Sequence, residues 1–338
     1  MRYDFASDNT AGMAPSALQA LIDANQGFAA GYGVDGYTAK AADAVRGLLD
    51  VDADVRFVFS GTAANSIALS MLANPFEAVL AHHTAHVCTD EAGAPGFFGH
   101  GLGLIGLPGY SGKIDVDGMC AALDEPVVGH RQPPAAITLT QTTEYGTVYS
   151  EDELAMLIRM AKGANLGVHI DGARLANAVA AGFDPKSLGR MGVDIVSLGG
   201  AKAGAHGVEA LVVLNRSLSP RLDNRLKQAG QTASKGRFLA APLGGLIESG
   251  EWLSGAQHAN AMAQRLADGI EGSTPFVLAH PVESNTVFVR MSEDALLAVR
   301  AAGFAVYAFD DGSIRFVCSW ATKTEAVDEL IAVLSSLD

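Results

Sequence analysis

The chain predicts an α/β fold: a large domain built on a mainly parallel sheet, followed by a small C-terminal α+β domain. Three observations carry that expectation. Short β-rich runs alternate with helical patterns over most of the length, which implies a parallel sheet covered on both faces. Two of those runs, Val168-His-Ile-Asp-Gly-Ala-Arg174 and Asp194-Ile-Val-Ser-Leu-Gly-Gly-Ala-Lys202, are apolar and end in charged or small residues. Strands end that way at the ligand-binding edge of such a sheet. From Lys227 onward the texture changes to a long helical stretch and then to separate strand-like runs.

In chain order, Arg56-Phe-Val-Phe59 reads as a strand and Ala64 to Leu72 as the helix after it. Ala78-Val-Leu80, Ala136-Ile-Thr-Leu-Thr140, Gly167-Val-His-Ile170, Asp194-Ile-Val-Ser197 and Ala210-Leu-Val-Val-Leu214 read as further strands. Ser150-Glu-Asp-Glu153 is a capping box that opens the helix Leu154 to Lys162. Lys235 to Leu246 continues into the helical stretch Trp252 to Ile270, a candidate connector. Beyond it Phe276 to Leu278, Thr286-Val-Phe-Val289, Ala305-Val-Tyr-Ala308 and Ile314-Arg-Phe-Val317 are strand-like, with helices at Asp294 to Ala302 and Thr324 to Leu337. The domain boundary falls near residue 245, giving a large domain over 1–245 and a small one over 246–338. At 338 residues the chain exceeds the usual single-core size.

Apolar residues make up 49% and charged residues 18%, enough to bury a large core and contrary to disorder. A net charge of −14 argues against a nucleic-acid partner, which requires a basic face. No run approaches the ~20 apolar residues of a membrane span. Met1-Arg-Tyr-Asp-Phe-Ala-Ser-Asp8 carries two acids and no apolar core, unlike a signal peptide. Cys88, Cys120 and Cys318 are widely spaced and form no disulfide framework, which fits a reducing compartment. The expectation is a soluble, cytoplasmic protein.

Asp171 and Lys202 follow apolar strands, where an unpaired charge is costly to bury. A lysine among Gly199, Gly200 and Gly204 is partly desolvated, which lowers its pKa and favours the neutral amine. The bland alternative is a solvated surface lysine. A carboxylate and such a lysine at neighbouring strand ends are what a pyridoxal 5′-phosphate (PLP) enzyme needs: the lysine forms the Schiff base, and the carboxylate keeps the pyridine nitrogen protonated. Gly61-Thr62 opens a helix after a strand, where free N–H groups fit a phosphate. Alone, Thr62 would read as an ordinary N-cap; beside Asp171 and Lys202 the phosphate reading wins. Arg174 reads either as a salt bridge to Asp171 or as a clamp for a substrate carboxylate.

His82-His-Thr-Ala-His86 lacks a supporting Cys or carboxylate at ligand spacing, so no metal is expected there. Stacking of His86 on a flat cofactor is the functional reading, and His82 and His83 are taken as loop residues. Gly101-Leu-Gly-Leu-Ile-Gly106 matches a dinucleotide-binding pattern but does not open a helix, and reads as a loop crossing near the core. Gly112-Lys113 lacks the glycine spacing of a P-loop.

Several motifs combine to identify a family: Ser60-Gly-Thr-Ala-Ala-Asn65, Leu139-Thr-Gln-Thr-Thr-Glu-Tyr-Gly-Thr-Val148, Asp171-Gly-Ala-Arg174, Gly199-Gly-Ala-Lys202 and Lys227-Gln-Ala-Gly-Gln-Thr-Ala-Ser-Lys235. Ser7-Asp-Asn-Thr10, Tyr32-Gly-Val-Asp35 and Ile314-Arg-Phe-Val317 extend the likeness over nearly the whole chain. The chain resembles the PLP-dependent low-specificity L-threonine aldolases, in the β-eliminating lyase group of the aspartate-aminotransferase fold (PLP-dependent transferase fold type I). The resemblance implies Lys202 as the Schiff-base lysine and Asp171 as the partner of the pyridine nitrogen. It also implies Gly61 and Thr62 as the phosphate cradle and His86 as the stacked imidazole. Ser7, Arg174 and Arg315 would grip the substrate carboxylate. Lys227 would reach the cofactor phosphate of a neighbouring subunit, making a homodimer or homotetramer with shared active sites. Some relatives carry a histidine where Glu144 falls and an arginine near Ser234, which bears on the base and on the pocket.

The activity so implied is retro-aldol cleavage of L-threonine, L-allo-threonine or related β-hydroxy-α-amino acids to glycine and an aldehyde, with His86 or Glu144 as base. The alternatives are a preference for aryl substrates such as L-phenylserine, or β-elimination or transamination on the same lysine and aspartate. An NAD-binding oxidoreductase and a non-catalytic PLP-binding module are further rivals; the arginine pair argues against the latter.

Overall fold

Runs too short for buried helices and rich in Val, Ile, Leu and Ala become strands, and the amphipathic stretches between them become their cover. The computed structural model describes residues 2–126, 129–309 and 311–337. The strands of the larger sheet are β1 (Asp54–Val58), β2 (Ala78–His82), β3 (Gly103–Leu107), β4 (Pro134–Thr140), β5 (Gly167–Gly172), β6 (Ile195–Gly199) and β7 (Glu209–Val213). Among the described residues these seven pair in the order β1-β7-β6-β5-β4-β2-β3. Neighbours from β3 to β6 are parallel, whereas β7 runs antiparallel to both β6 and β1. Strands β2, β6 and β7 are buried at every residue, as strands covered on both faces must be.

The interleaved helices are α1 (Pro15–Ala24), α2 (Gly36–Leu49), α3 (Gly61–Leu72), α4 (His86–Thr89), α5 (Ala94–Phe98), α6 (Val116–Asp124), α7 (Glu151–Gly163), α8 (Leu175–Ala180), α9 (Ser187–Met191) and α10 (Ser219–Gln228). The capping box at Ser150 is formed: its side chain accepts from the Glu153 N–H and Glu153 reaches back to the Ser150 N–H. The expectation of a loop at Gly101–Gly106 is corrected, because residues from Gly103 form edge strand β3, parallel to β2. Its glycines answer to crowding: a Cβ on Gly103 would collide with the Gln132 side chain, and one on Gly106 would press on His83.

The long helical stretch is two helices, α11 (Arg237–Ser249) and α12 (Glu251–Ser273), separated by Gly250 at φ +81°. Residue 245 lies within α11, whose Ala240, Leu243 and Leu246 join α1 and α2 in the core of the large sheet. Helix α12 serves both cores, with Trp252 and Ala256 in the first and Ala263, Leu266 and Ile270 in the second. That second core lies on an antiparallel sheet, in the order β10-β11-β9-β8, of β8 (Val277–Leu278), β9 (Thr286–Arg290), β10 (Tyr307–Ala308) and β11 (Ser313–Val317). Helices α13 (Glu293–Ala301) and α14 (Thr324–Ser335) cover it.

The N-terminal segment belongs to this second core. Phe5 is fully buried there, 5.7 Å from the Phe304 ring, and its carbonyl accepts from the Val317 N–H at 2.9 Å. Arg2 bridges to Phe304 in parallel fashion. These contacts bring Ser7 and Asp8 back towards the large sheet. Among the described residues no helix is long and apolar enough to cross a membrane.

Candidate active site

Strands β1, β2, β4, β5 and β6 point the same way, so the residues just past them share one edge of the sheet. Gly61 and Thr62 follow β1, His86 follows β2, Glu144 follows β4, Asp171 closes β5 and Lys202 follows β6. Strand β7 runs the other way and therefore begins at this edge, with Glu209 opposite Gly199. The turn carrying Lys202 fits only because it is small: a Cβ on Gly199 would collide with the Ala173 carbonyl. The Gly200 N–H donates to Glu209 Oε2 at 2.7 Å and fixes the turn from behind.

Asp171 Oδ1 accepts from the Ala173 N–H at 3.0 Å, and its Oδ2 from Asn65 Nδ2 at 2.8 Å. The same Asn65 nitrogen donates to Glu91 Oε1 at 2.9 Å, and that oxygen lies 2.9 Å from His86 Nδ1. The hydrogen bond from Glu91 raises the pKa of His86 above its ordinary value. On the other side, Glu144 Oε1 accepts from the His86 backbone N–H at 2.9 Å and from the Thr140 hydroxyl at 3.0 Å. Glu144 Oε2 is buried and has no hydrogen-bond partner. Burial pushes this carboxyl up to about 7, and burial does the same to Glu209.

The cations are arranged around Asp8. Arg174 donates to it through Nε at 2.7 Å and Nη2 at 2.9 Å, so the salt-bridge alternative stands corrected in its partner: the carboxylate is Asp8, not Asp171. Asn285 Nδ2 donates to Asp8 at 3.2 Å and to the Cys318 carbonyl at 2.7 Å, tying the N-terminal segment to the small sheet. Ser7 caps the short turn at Asp8–Thr10, its Oγ accepting from the Asn9 N–H at 3.2 Å. Arg315 lies 4.9 Å from the Phe309 ring centroid, and its Nε is buried without a partner. Burial and the nearby Arg174 charge lower its pKa to about 10, and among the described residues no carboxylate is bonded to this guanidinium. Burial, followed by the Arg174 charge, also lowers the pKa of Lys202.

The N-cap of α3 is Ser60, whose Oγ accepts from the Ala63 N–H at 3.2 Å, rather than Thr62. That leaves the N–H groups of Gly61 and Thr62 without an intrahelical partner, and a Cβ on Gly61 would meet only open space. Lys227 stands apart from this cluster: it is exposed, its Nζ is 5.2 Å from the Tyr32 ring, and it lines a cavity with Tyr32, Thr38 and Gln231. The ring nitrogens of His82 bond to Thr84 and Gly109, and Nδ1 of His83 to Leu107. Asp8, Asn65, Glu91 and Glu209 are functional candidates that sequence reasoning did not single out. Asp8 and Asn65 lie inside quoted motifs; Glu91 and Glu209 give no signal beyond an acid near apolar residues.

PLP fits these residues. The buried amine of Lys202 suits covalent attachment, the free N–H groups at the start of α3 suit a phosphate, and the orphaned Arg315 Nε suits a carboxylate. Fold and donor set define the class: a PLP-dependent enzyme of fold type I. The model of the family described as "Beta-eliminating lyase" matches residues 4–294. A Pseudomonas sp. protein named low specificity L-threonine aldolase is 44% identical over 331 residues, covering 97% of this chain and 96% of the relative. Its namesake from Saccharomyces cerevisiae is 26% identical, covering 87% of this chain and 76% of the relative. Among solved structures, a Leishmania major threonine aldolase superposes with a TM-score of 0.92 at 32% identity, covering 98% of each chain. An alanine–glyoxylate aminotransferase from Nostoc sp. shares the fold alone, with a TM-score of 0.73 at 15% identity, over 99% of this chain and 95% of its own. The chain belongs to the β-eliminating lyase family, within its threonine aldolase branch. It is a PLP-dependent carbon–carbon lyase.

Proposed function

We propose that the protein cleaves L-threonine, L-allo-threonine or a related β-hydroxy-α-amino acid into glycine and an aldehyde by a retro-aldol reaction. One pair of observations carries the reading: Arg315 on β11 of the small sheet and Glu144 beyond β4 of the large sheet, both within the field of Arg174, each keep a buried polar atom, Nε and Oε2, with no hydrogen-bond partner among the described residues. Bound PLP supplies the electron sink for the bond broken at the α-carbon. Lys202 holds the cofactor, Asp171 keeps its ring nitrogen protonated, and Gly61 and Thr62 cradle its phosphate. His86 stacks on the ring. Arg315, with Ser7 and the edge of Arg174 not taken by Asp8, holds the substrate carboxylate; fixing that group orients the scissile bond. The β-hydroxyl proton leaves to the His86–Glu144 pair, whose raised pKa values suit a base working near neutrality.

We further assign the activity to a homo-oligomer, a dimer or tetramer, in which Lys227 serves a neighbouring subunit. The exposed Tyr32 and Val34 support this, since apolar side chains lining a cavity with Lys227 mark a contact face. Residues 1–245 and 246–338 are assigned to a large and a small domain; two apolar cores support two domains, although Leu246, Trp252 and Ala256 pack in the first core and the N-terminal Phe5 in the second. The three free cysteines fit the reducing cytoplasm.

The test offers L-threonine, L-allo-threonine and L-phenylserine to the PLP-loaded protein and measures aldehyde and glycine. Equal yields of the two establish the aldolase, and the ranking of substrates describes the pocket. Ammonia with the 2-oxo acid of the intact carbon chain (2-oxobutanoate from the threonines, phenylpyruvate from phenylserine), or no cleavage with PLP bound, moves the chemistry to elimination or transamination. Lys202→Ala is expected to abolish turnover and the borohydride-stable adduct together.

A further inference from the structure

Glu91 is a buried carboxylate of the site, with its side chain at 0% exposure, and the roles assigned above give it no task. It follows the four-residue helix α4, and its carbonyl accepts from Ala94 at 2.8 Å at the start of α5. Between them Ala92 and Gly93 take left-handed conformations at φ +49° and +76°, a costly backbone for alanine. One oxygen, Oε1, carries both of its hydrogen bonds, to Asn65 and to His86; the other, Oε2, is buried with no partner. A buried carboxylate satisfied on one oxygen is a poor way to stabilise a fold. It is an effective way to fix a histidine.

We infer that Glu91 is a positioning residue for His86, holding the proton on Nδ1 so that Nε2 offers its lone pair to the site. This rests on the reading of His86 as a member of the catalytic pair. Burial raises the pKa of the Glu91 carboxyl, while its bonds to His86 and Asn65 favour the ionised form; ionised, it only accepts, so the bond to Oε1 puts a hydrogen on Nδ1, and a neutral imidazole then has Nε2 bare. Nε2 makes no hydrogen bond with any described residue. Asn65 completes the device. The two hydrogens of its single Nδ2 go to Glu91 and Asp171, so one amide holds in register the acid behind the imidazole and the acid at the cofactor ring.

The charges facing His86 come from every surrounding element: Glu91 beyond α4, Asp171 on β5, Lys202 beyond β6, and Glu144 on the backbone N–H. Of these, Glu91 raises the imidazole most, Asp171 adds to it and Lys202 opposes it. Removing the Glu91 charge therefore makes His86 a weaker base.

The experiment uses PLP-loaded protein labelled with ¹⁵N-histidine, with His86 assigned by the loss of its signals in His86→Asn. In the wild type, Nδ1 is expected to be protonated and Nε2 bare above the titration midpoint. In Glu91→Gln, which keeps the shape, the midpoint should fall by about one pH unit, a tenfold weaker proton affinity. Its kcat should fall by about tenfold or more with KM within about twofold. A wild-type imidazole protonated on Nε2 overturns the inference without any variant. So does an unchanged midpoint in Glu91→Gln, whatever the activity. If the wild type fails to release glycine, the proposed function falls, while the tautomer and its titration still decide the role of Glu91.

Discussion

Glu144 carries the sharpest pH dependence at the scale of single residues. Its carboxyl titrates near 7, above the ordinary value because it is buried, and a base must be ionised to act. Cleavage is therefore expected to rise with pH through about 7, not fall, and to level off above it. Glu144→Gln should lower kcat by about a hundredfold and erase that limb from the pH–rate profile. Near-wild-type rates for both Glu144→Gln and His86→Asn would remove the pair from the chemistry. Asp171 and Lys202 were legible in the sequence because each ends an apolar strand, where a charge has no local excuse. Asp8 was not, since the arginine that it neutralises lies 166 positions away. Asn65 was hidden for the same reason, its acceptors Glu91 and Asp171 lying 26 and 106 positions away; Glu91 was hidden although His86 is five positions off, because an acid beyond a histidine carries no pairing signal of its own. Arg174 was legible as a salt-bridging residue but not in its partner, because sequence does not say which carboxylate a guanidinium edge will meet.

Among the elements, helix α3 does the most for the site. Its first turn leaves N–H groups for a phosphate, and Asn65, one turn further, bridges two carboxylates. The Ser60 hydroxyl holds that first turn through the Ala63 N–H. Ser60→Ala is expected to cost about 1 kcal/mol of stability. It should also weaken PLP retention, measured by equilibrium dialysis against thermal melting of the apo-protein; unaltered retention would detach the cap from the cofactor. The strands other than β3, and helices α3, α7 and α11 to α14, were readable from their patterns, with ends displaced by a few residues; helices α1, α2 and α10 were not singled out. Strand β3 was read as a loop. Its glycines imitate a loop because their missing side chains make room for Gln132 and His83, a tertiary demand with no local trace.

For the whole molecule, the large sheet gathers Lys202, Arg174 and most of the carboxylates, the small sheet contributes Arg315, and the N-terminal segment contributes Asp8, which accepts from Arg174. If Lys227 serves a neighbouring subunit, co-expressed Lys202→Ala and Lys227→Ala chains should recover about a quarter of the wild-type rate, while each alone stays near zero. Background activity in the mixture would assign Lys227 to its own subunit. The parallel architecture was legible in the alternation of elements. The return of residues 2–8 to the last strand was not, for no pattern in eight residues announces a contact with residue 317. That return sets a schedule for biosynthesis. The large sheet can collapse while the ribosome is still at work, at about 5–20 residues per second. The pocket for the amino acid closes only when Arg315 has emerged and found the opening residues waiting. A nascent chain interrupted before that point would keep Lys202, Arg174 and Ser7, yet lack Arg315, the guanidinium with an unpaired buried nitrogen.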